Sequence, residues 1–250
     1  LLLNTRKSEL IGDPSHVDAL REAFPEYPNV AGWDDWHLLG TPCGSQPSVD
    51  AFLGRVADNT ARKSRLVTAI PDPHVAYALL RYCCGFCLGV FYMRACGPQP
   101  DVWRRVDDAT FSAVCLLVPG LPPSCRAQSE MPVRHGGLGF RPLDPHAAVA
   151  YIAAFTASLP LLPRLLEDAA LAAPDATLER CLVSPTITHF PAVEKKARAY
   201  IGLGGSPGDR KQRELSRAYD DAVAAIWLGG TASDPARRAR ALSASVVTVE

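Results

Sequence analysis

At Pro47 the spacing of apolar residues changes, and this change constrains the fold more than any other feature of the chain. Beyond it, Val49, Phe52, Leu53, Val56, Leu66, Val67 and Ile70 fall on one stripe at helical spacing. Further helices are read at 74–95, at 101–118 and, as an Ala/Leu-rich pair broken at Pro160 and Pro163, at 146–159 and 163–172. The helical period is cleanest in Leu215, Ala218, Tyr219, Ala222, Val223, Ile226 and Trp227. Before Pro47, turn residues punctuate short apolar runs. "SELI" and "WHLLG" read as strands, the second stopped by Gly40 and Pro42, and residues 13–31 read as turns around Pro14, Pro25 and Pro28. The expected fold is mainly α, with a short β and loop region at residues 1–46. Helical regions follow at 47–130 and 131–230, and then a basic tail at 231–250. "GLGGSPG", at 202–208, reads as a flexible joint.

Residues 74–95 are apolar nearly all round and long enough to span a bilayer. Arg81 lies inside the run, and an arginine at mid-membrane costs about 2.5–3.5 kcal/mol on insertion scales. A central helix buried in a soluble core is the better reading, with Arg81 reaching its edge or pairing with a carboxylate. No membrane contact is expected.

Charge excludes some functions and restricts others. The 26 basic and 26 acidic residues cancel, so any nucleic-acid contact must be local rather than a property of the whole molecule. Of the basic residues 21 are Arg and 5 are Lys. The guanidinium fork suits phosphate, although in a chain so rich in Ala, Pro and Gly biased codon usage is the better explanation. On the helix opened by Pro47, Arg55, Arg62 and Arg65 cluster beside the apolar stripe, either as a solvated face or as a basic flank for a nucleic-acid backbone.

Eight Cys and six His invite a search for metal. A zinc site uses ligand pairs at short spacing, usually two of them. Only Cys83, Cys84 and Cys87 cluster, and the histidines are scattered, so buried structural thiols and no metal site are expected. Nothing resembles a signal peptide, which makes an intracellular protein with reduced thiols the default. "RHGGLGF" lacks the G-x-S-x-G elbow an esterase would add. Pro207 interrupts the dinucleotide fingerprint in "GLGGSPG", and there is no Walker A loop.

Three stretches in order resemble the C-terminal half of a reverse transcriptase of the non-LTR retrotransposon (long interspersed element) type. "LLLNTRKSELI" is similar to the motif that follows the catalytic hairpin in the polymerase palm. Leu3, Asn4, Lys7, Ser8 and Glu9 match, with Leu where Gly usually stands ahead of the motif. "WHLLGTPCGS" resembles the primer grip, with Leu38, Leu39, Gly40 and Gly44 in place. "MPVRHGGLGFRPLDPHAAVAYIAA" resembles a block found downstream of the thumb. The likeness covers most of residues 1–228.

The resemblance implies a fragment: the end of the palm, a helical thumb and a post-thumb region of an RNA-directed DNA polymerase. The complete enzyme would use magnesium, an RNA template and a DNA primer. In such polymerases the metal-binding aspartates precede the Asn/Lys motif, so the "WDDW" pair Asp34–Asp35 is not their counterpart. Those aspartates would lie upstream of Leu1 with the rest of the palm and the fingers. Two-metal phosphoryl transfer needs carboxylates converging on both ions, which one adjacent pair does not supply. Alone, this chain is expected to be inactive. Lys7 would stabilise departing pyrophosphate, the "LLG" turn would hold the primer end, and Arg55, Arg62 and Arg65 would track phosphates. The alternative is a non-enzymatic helical interaction protein, unrelated or decayed from such an element.

Overall fold

The computed structural model describes residues 4–160, 176–202 and 211–230. The predicted helix at 163–172, the tail at 231–250 and all but the first residue of the 202–208 joint lie outside them. The protein is mainly helical, and its strands are short and confined to the N-terminal region. Tertiary contacts divide it into residues 1–56 and residues 57–250, a division that falls within one helix.

In the first unit, β1 (Glu9–Gly12) pairs in parallel with β2 (Asn29–Gly32), Leu10 opposite Val30. Parallel neighbours need a crossover. Here it contains α1 (Val17–Ala23), where the sequence suggested only turns. The prolines flank this helix rather than interrupt it: Pro14 opens a 3-10 turn capped by the Asp13 carboxylate, and Pro25 and Pro28 follow it. β3 (Asp35–Leu38) and β4 (Thr41–Gly44) form an antiparallel hairpin. The expected stop of the first strand falls at the Leu39–Gly40 turn, whereas Pro42 takes no part in it and continues β4 opposite His37. With a two-residue loop this is a non-hydrogen-bonded pair, where the missing N–H is not needed.

α2 (Gln46–Val67) begins where expected, but its buried seam is Leu53, Ala57, Thr60 and Ser64. The predicted stripe is corrected accordingly: Leu66 is exposed, and Val49, Phe52, Val56, Val67 and Ile70 are only partly covered. The single helix expected over 74–95 is also corrected. The segment is two helices, α3 (Pro73–Cys83) and α4 (Phe86–Cys96), broken at Cys84 and Gly85, whose φ is +52°. By length and composition Pro73–Cys96 is apolar enough to cross a membrane. In the fold each helix buries one side only, Ala76 and Leu80 on α3 and Gly89 and Met93 on α4, while Tyr82 and Phe91 remain exposed. Arg81 meets no carboxylate among the described residues. It donates to the Tyr77 hydroxyl (3.1 Å) and lies over the Tyr82 ring.

α5 (Pro100–Leu117) leads through the short α6 (Arg126–Glu130) to α7 (Asp144–Ser158), the hub of the second unit. Against α7 pack α4, α8 (Ala176–Leu182), α9 (Pro185–Thr188), α10 (Pro191–Gly202) and α11 (Lys211–Gly230). Its alanines explain how. Ala147, Ala148, Ala150 and Ala153 are all buried, and side chains this small let neighbouring helices approach from several directions around Val149 and Ile152.

α11 turns inward a face that overlaps the one its apolar pattern predicts but is rotated from it: Leu215 belongs to both, and Ala218 and Tyr219 pack against the core. Leu215, Ser216, Asp220 and Ala224 are buried, whereas Ile226 is 66% exposed. Leu215→Ala should therefore cost about 2–5 kcal/mol, as a fully buried truncation does, while Ile226→Ala should stay within about 0.5 kcal/mol. Urea unfolding of the two variants measures the difference; similar losses would mean that the sequence pattern, not the observed seam, marks the packed face.

Candidate nucleic-acid interface

The residues singled out in the first unit lie on the 3-10 turn before β1 and on the β3–β4 hairpin. Asn4 accepts from the backbone N–H groups of Lys7 and Ser8 and from the Ser8 hydroxyl, closing the turn Thr5–Lys7 that ends with the Lys7 side chain exposed. Glu9 of β1 accepts a long hydrogen bond (3.5 Å) from the His37 backbone N–H of β3, so the two motifs are joined within one unit.

The hairpin reverses at Leu39 and Gly40, with φ of +51° and +80°. Positive φ at both loop positions is the requirement of a type I′ turn, which matches strand twist and favours Asn-Gly or Gly-Gly. Leu at the first position carries a left-handed penalty of about 1–2 kcal/mol. Leu39 is also 91% exposed and Leu38 55% exposed, so neither leucine is recovering that cost by burial. A Cβ on Gly40 would meet nothing, leaving open space over the turn. Gly44, at φ +120°, is different: a Cβ there would run into the Asp34 backbone carbonyl, which also accepts from Ser45 N–H at 2.7 Å.

Asp34 and Asp35 are exposed. Asp35 accepts from the Ser48 hydroxyl and so ties β3 to the first turn of α2. Among the described residues no three His, Cys, Asp or Glu side chains converge as a metal-holding group. Arg55 lies over the Phe52 ring (5.6 Å), Arg62 donates to Asn59 (3.0 Å), and Arg65 is exposed. All three arginines point away from the buried seam of α2. The cysteine expectation needs correction: Cys84 is buried, but Cys83 and Cys87 are exposed beside the helix break.

Sequence reading missed a polar network in the second unit. Nε2 of His146 on α7, a residue only 1% exposed, lies 3.2 Å from a carboxylate oxygen of Asp220 on α11, and its Nδ1 meets the Pro142 carbonyl (2.8 Å). Arg141 donates to the other oxygen of Asp220 (2.5 Å), and Arg134 reaches the same oxygen at 3.6 Å. Arg134 and His135 also engage Asp221, at 3.0 and 2.8 Å. Burial alone would raise the Asp220 pKa, but the His146 and Arg141 partners overcome it and hold the carboxyl below its ordinary range. Burial pulls the His146 imidazole down, against the attraction of Asp220. A lone His in an Ala-rich helix and an Asp on the inner side of α11 were the available signals, but 74 residues separate them.

A second buried carboxylate stands beside it. Asp107 of α5 accepts from the backbone N–H groups of Leu143 (2.7 Å) and Asp144 (3.0 Å) and so caps α7 from another helix. Burial outweighs those two bonds and pushes its pKa up to about 7. Comparison with protein-family models, curated proteins and solved structures returns no match for the chain.

The Asp107 shift has a definite sign. The folded protein keeps this proton where the unfolded chain, with a carboxyl near pKa 3.9, has lost it. Stability contributed by this group therefore falls as pH rises from about 4 to about 7. Glu130, also raised by burial, adds to that slope, and His146 opposes it towards neutral pH. Asp107→Asn isolates the effect: the melting temperature of the variant relative to the parent should climb between pH 4 and 7. A constant offset across that range would show that Asp107 ionises normally.

Proposed function

We propose that the chain is the C-terminal palm, thumb and post-thumb part of a reverse transcriptase of the non-LTR retrotransposon type. The observation that carries this reading is the β3–β4 hairpin tip, which presents two exposed leucines on a strained two-residue turn where the primer-grip motif lies. Strain at an exposed apolar position costs stability without serving the core, and such costs concentrate where a surface makes contacts. The ordered motifs add support, since the Asn4–Lys7–Glu9 stretch and the hairpin share one unit and are linked through Glu9 and His37.

On this reading the Leu38–Leu39–Gly40 turn supports the primer end, and the open space above Gly40 admits a backbone closely. Arg55, Arg62 and Arg65, exposed on α2, contact phosphates. Lys7 offers its ammonium to the departing pyrophosphate. The complete polymerase would require magnesium, and the acidic residues here do not fit its binding: Asp34 and Asp35 are surface groups, with Asp35 engaged by Ser48. What this reading assigns to the described residues is positioning of the primer end and of phosphates.

Two measurements test the reading. Leu39→Asn creates the Asn-Gly pair that a type I′ turn prefers, so it should raise unfolding stability by about 1 kcal/mol and weaken binding of a primed RNA template several-fold by fluorescence anisotropy. Unchanged affinity in a stabilised variant would remove the primer-grip assignment. The isolated chain should add no nucleotides to that primer, and incorporation would make Asp34 and Asp35 catalytic. In a longer polypeptide carrying the upstream aspartates, Lys7→Ala should lower kcat more than it raises KM for nucleotide.

A further inference from the structure

Two clefts in the second unit share a wall made by Phe86, Arg134 and Arg141. The first, about 340 Å³, adds Arg81 and Tyr82; the second, about 480 Å³, adds Arg94, Arg213 and Arg217. Six arginines thus line one run of surface on a chain whose net charge is zero, and no acidic residue lines either cleft. The nearest carboxylates, Asp220 and Asp221, already serve Arg134, Arg141, Arg217 and His135. Among the described residues no carboxylate lies at ion-pair distance from Arg81, Arg94 or Arg213. Arg81 meets the Tyr77 hydroxyl and Arg94 the Gln212 amide oxygen (2.6 Å), both neutral. Arg134 Nε is buried without an acceptor.

We infer that this double cleft binds a single-stranded nucleic acid, its phosphates on the arginines and its bases against the aromatic faces. The arginines supply the guanidinium forks that pair with phosphate oxygens. Tyr82 is exposed with the Arg81 guanidinium 4.9 Å from its ring centre, and Arg141 lies 5.4 Å from that of Phe86. Aromatic and guanidinium planes within a basic groove are what bases stack on in sequence-tolerant single-strand binding. An acidic peptide would use the charge but not those faces. A duplex presents a convex surface with its bases already stacked, and concave clefts of this size suit an unpaired nucleotide and its neighbour. The inference does not depend on the polymerase reading, because it uses none of the hairpin or α2 residues.

The test is anisotropy titration of the full chain with labelled 12-nucleotide oligo(dT) and oligo(U), which separates DNA from RNA preference. The triple variant Arg94→Gln, Arg213→Gln, Arg217→Gln changes only exposed side chains. It should weaken binding at least tenfold and reduce the slope of log affinity against log salt by about 2, because each single-strand phosphate contact contributes roughly 0.7. Tyr82→Ala should weaken binding about tenfold with the slope unchanged. Ile226→Ala, at an exposed position outside both clefts, should leave it unaltered; the primer-grip assignment is read separately from Leu39→Asn on the primed template, so the two failures are distinguishable. Parental affinity in the triple variant would overturn the inference. So would displacement of the oligonucleotide by poly-glutamate at equal charge, which would indicate an acidic protein partner, or a loss of duplex binding in the triple variant as large as its loss of single-strand binding.

Discussion

The second unit depends on a buried negative charge. Asp220 sits inside α11 at 3% exposure, and a carboxylate there is tolerable only because His146, Arg141 and Arg134 surround it. Those three partners come from α7 and the glycine-containing loop that precedes it, so one charge fastens the last described helix to the hub. The arrangement also fixes Arg134 and Arg141 as the wall common to both clefts. Removing Asp220 would leave two guanidinium groups and an imidazole facing one another, a loss comparable to that of truncating a fully buried core side chain.

The same region shows how a helix start can be supplied from elsewhere in the chain. α7 begins without a side-chain cap of its own. Asp107, on the neighbouring α5, takes the first two free N–H groups instead. The cap and the Asp220 cluster together hold the N-terminal end of α7 from two sides. Its apolar C-terminal part is left to pack against α8, α9 and α10 through Ile152, Cys181, Ile187 and Val193.

Much of this was legible in the sequence, and the exceptions have physical causes. Periodicity located α2, α5 and α11 because each buries one face, and burial of one face is what periodicity records; α7, buried on every side, was read from its Ala-rich composition instead. It recovered the inner faces of α2 and α11 only in part, at Leu53 and Leu215, because Thr60, Ser64, Ser216 and Asp220 occupy buried positions that a hydrophobic pattern skips. It merged α3 and α4, since a helix break at Gly85 inside an apolar run leaves no polar mark. It dissolved α1 into turns because the prolines around it are the stronger local signal. Of the candidate interface, the hairpin could be read because its residues are contiguous. The arginine-lined clefts could not, because their six guanidinium groups arrive from four separate stretches of chain.

Leu39 separates two kinds of selection. A library of this chain screened for folding alone should drift at position 39 towards Asn, Gly or Asp, the residues that enter the left-handed region at least cost. One screened for whatever the hairpin touches should keep an apolar side chain there. Gly44 admits no such divergence, because any side chain meets the Asp34 backbone whatever the screen rewards. Two positions five residues apart would thus report separately on what the fold requires and on what the surface is kept for.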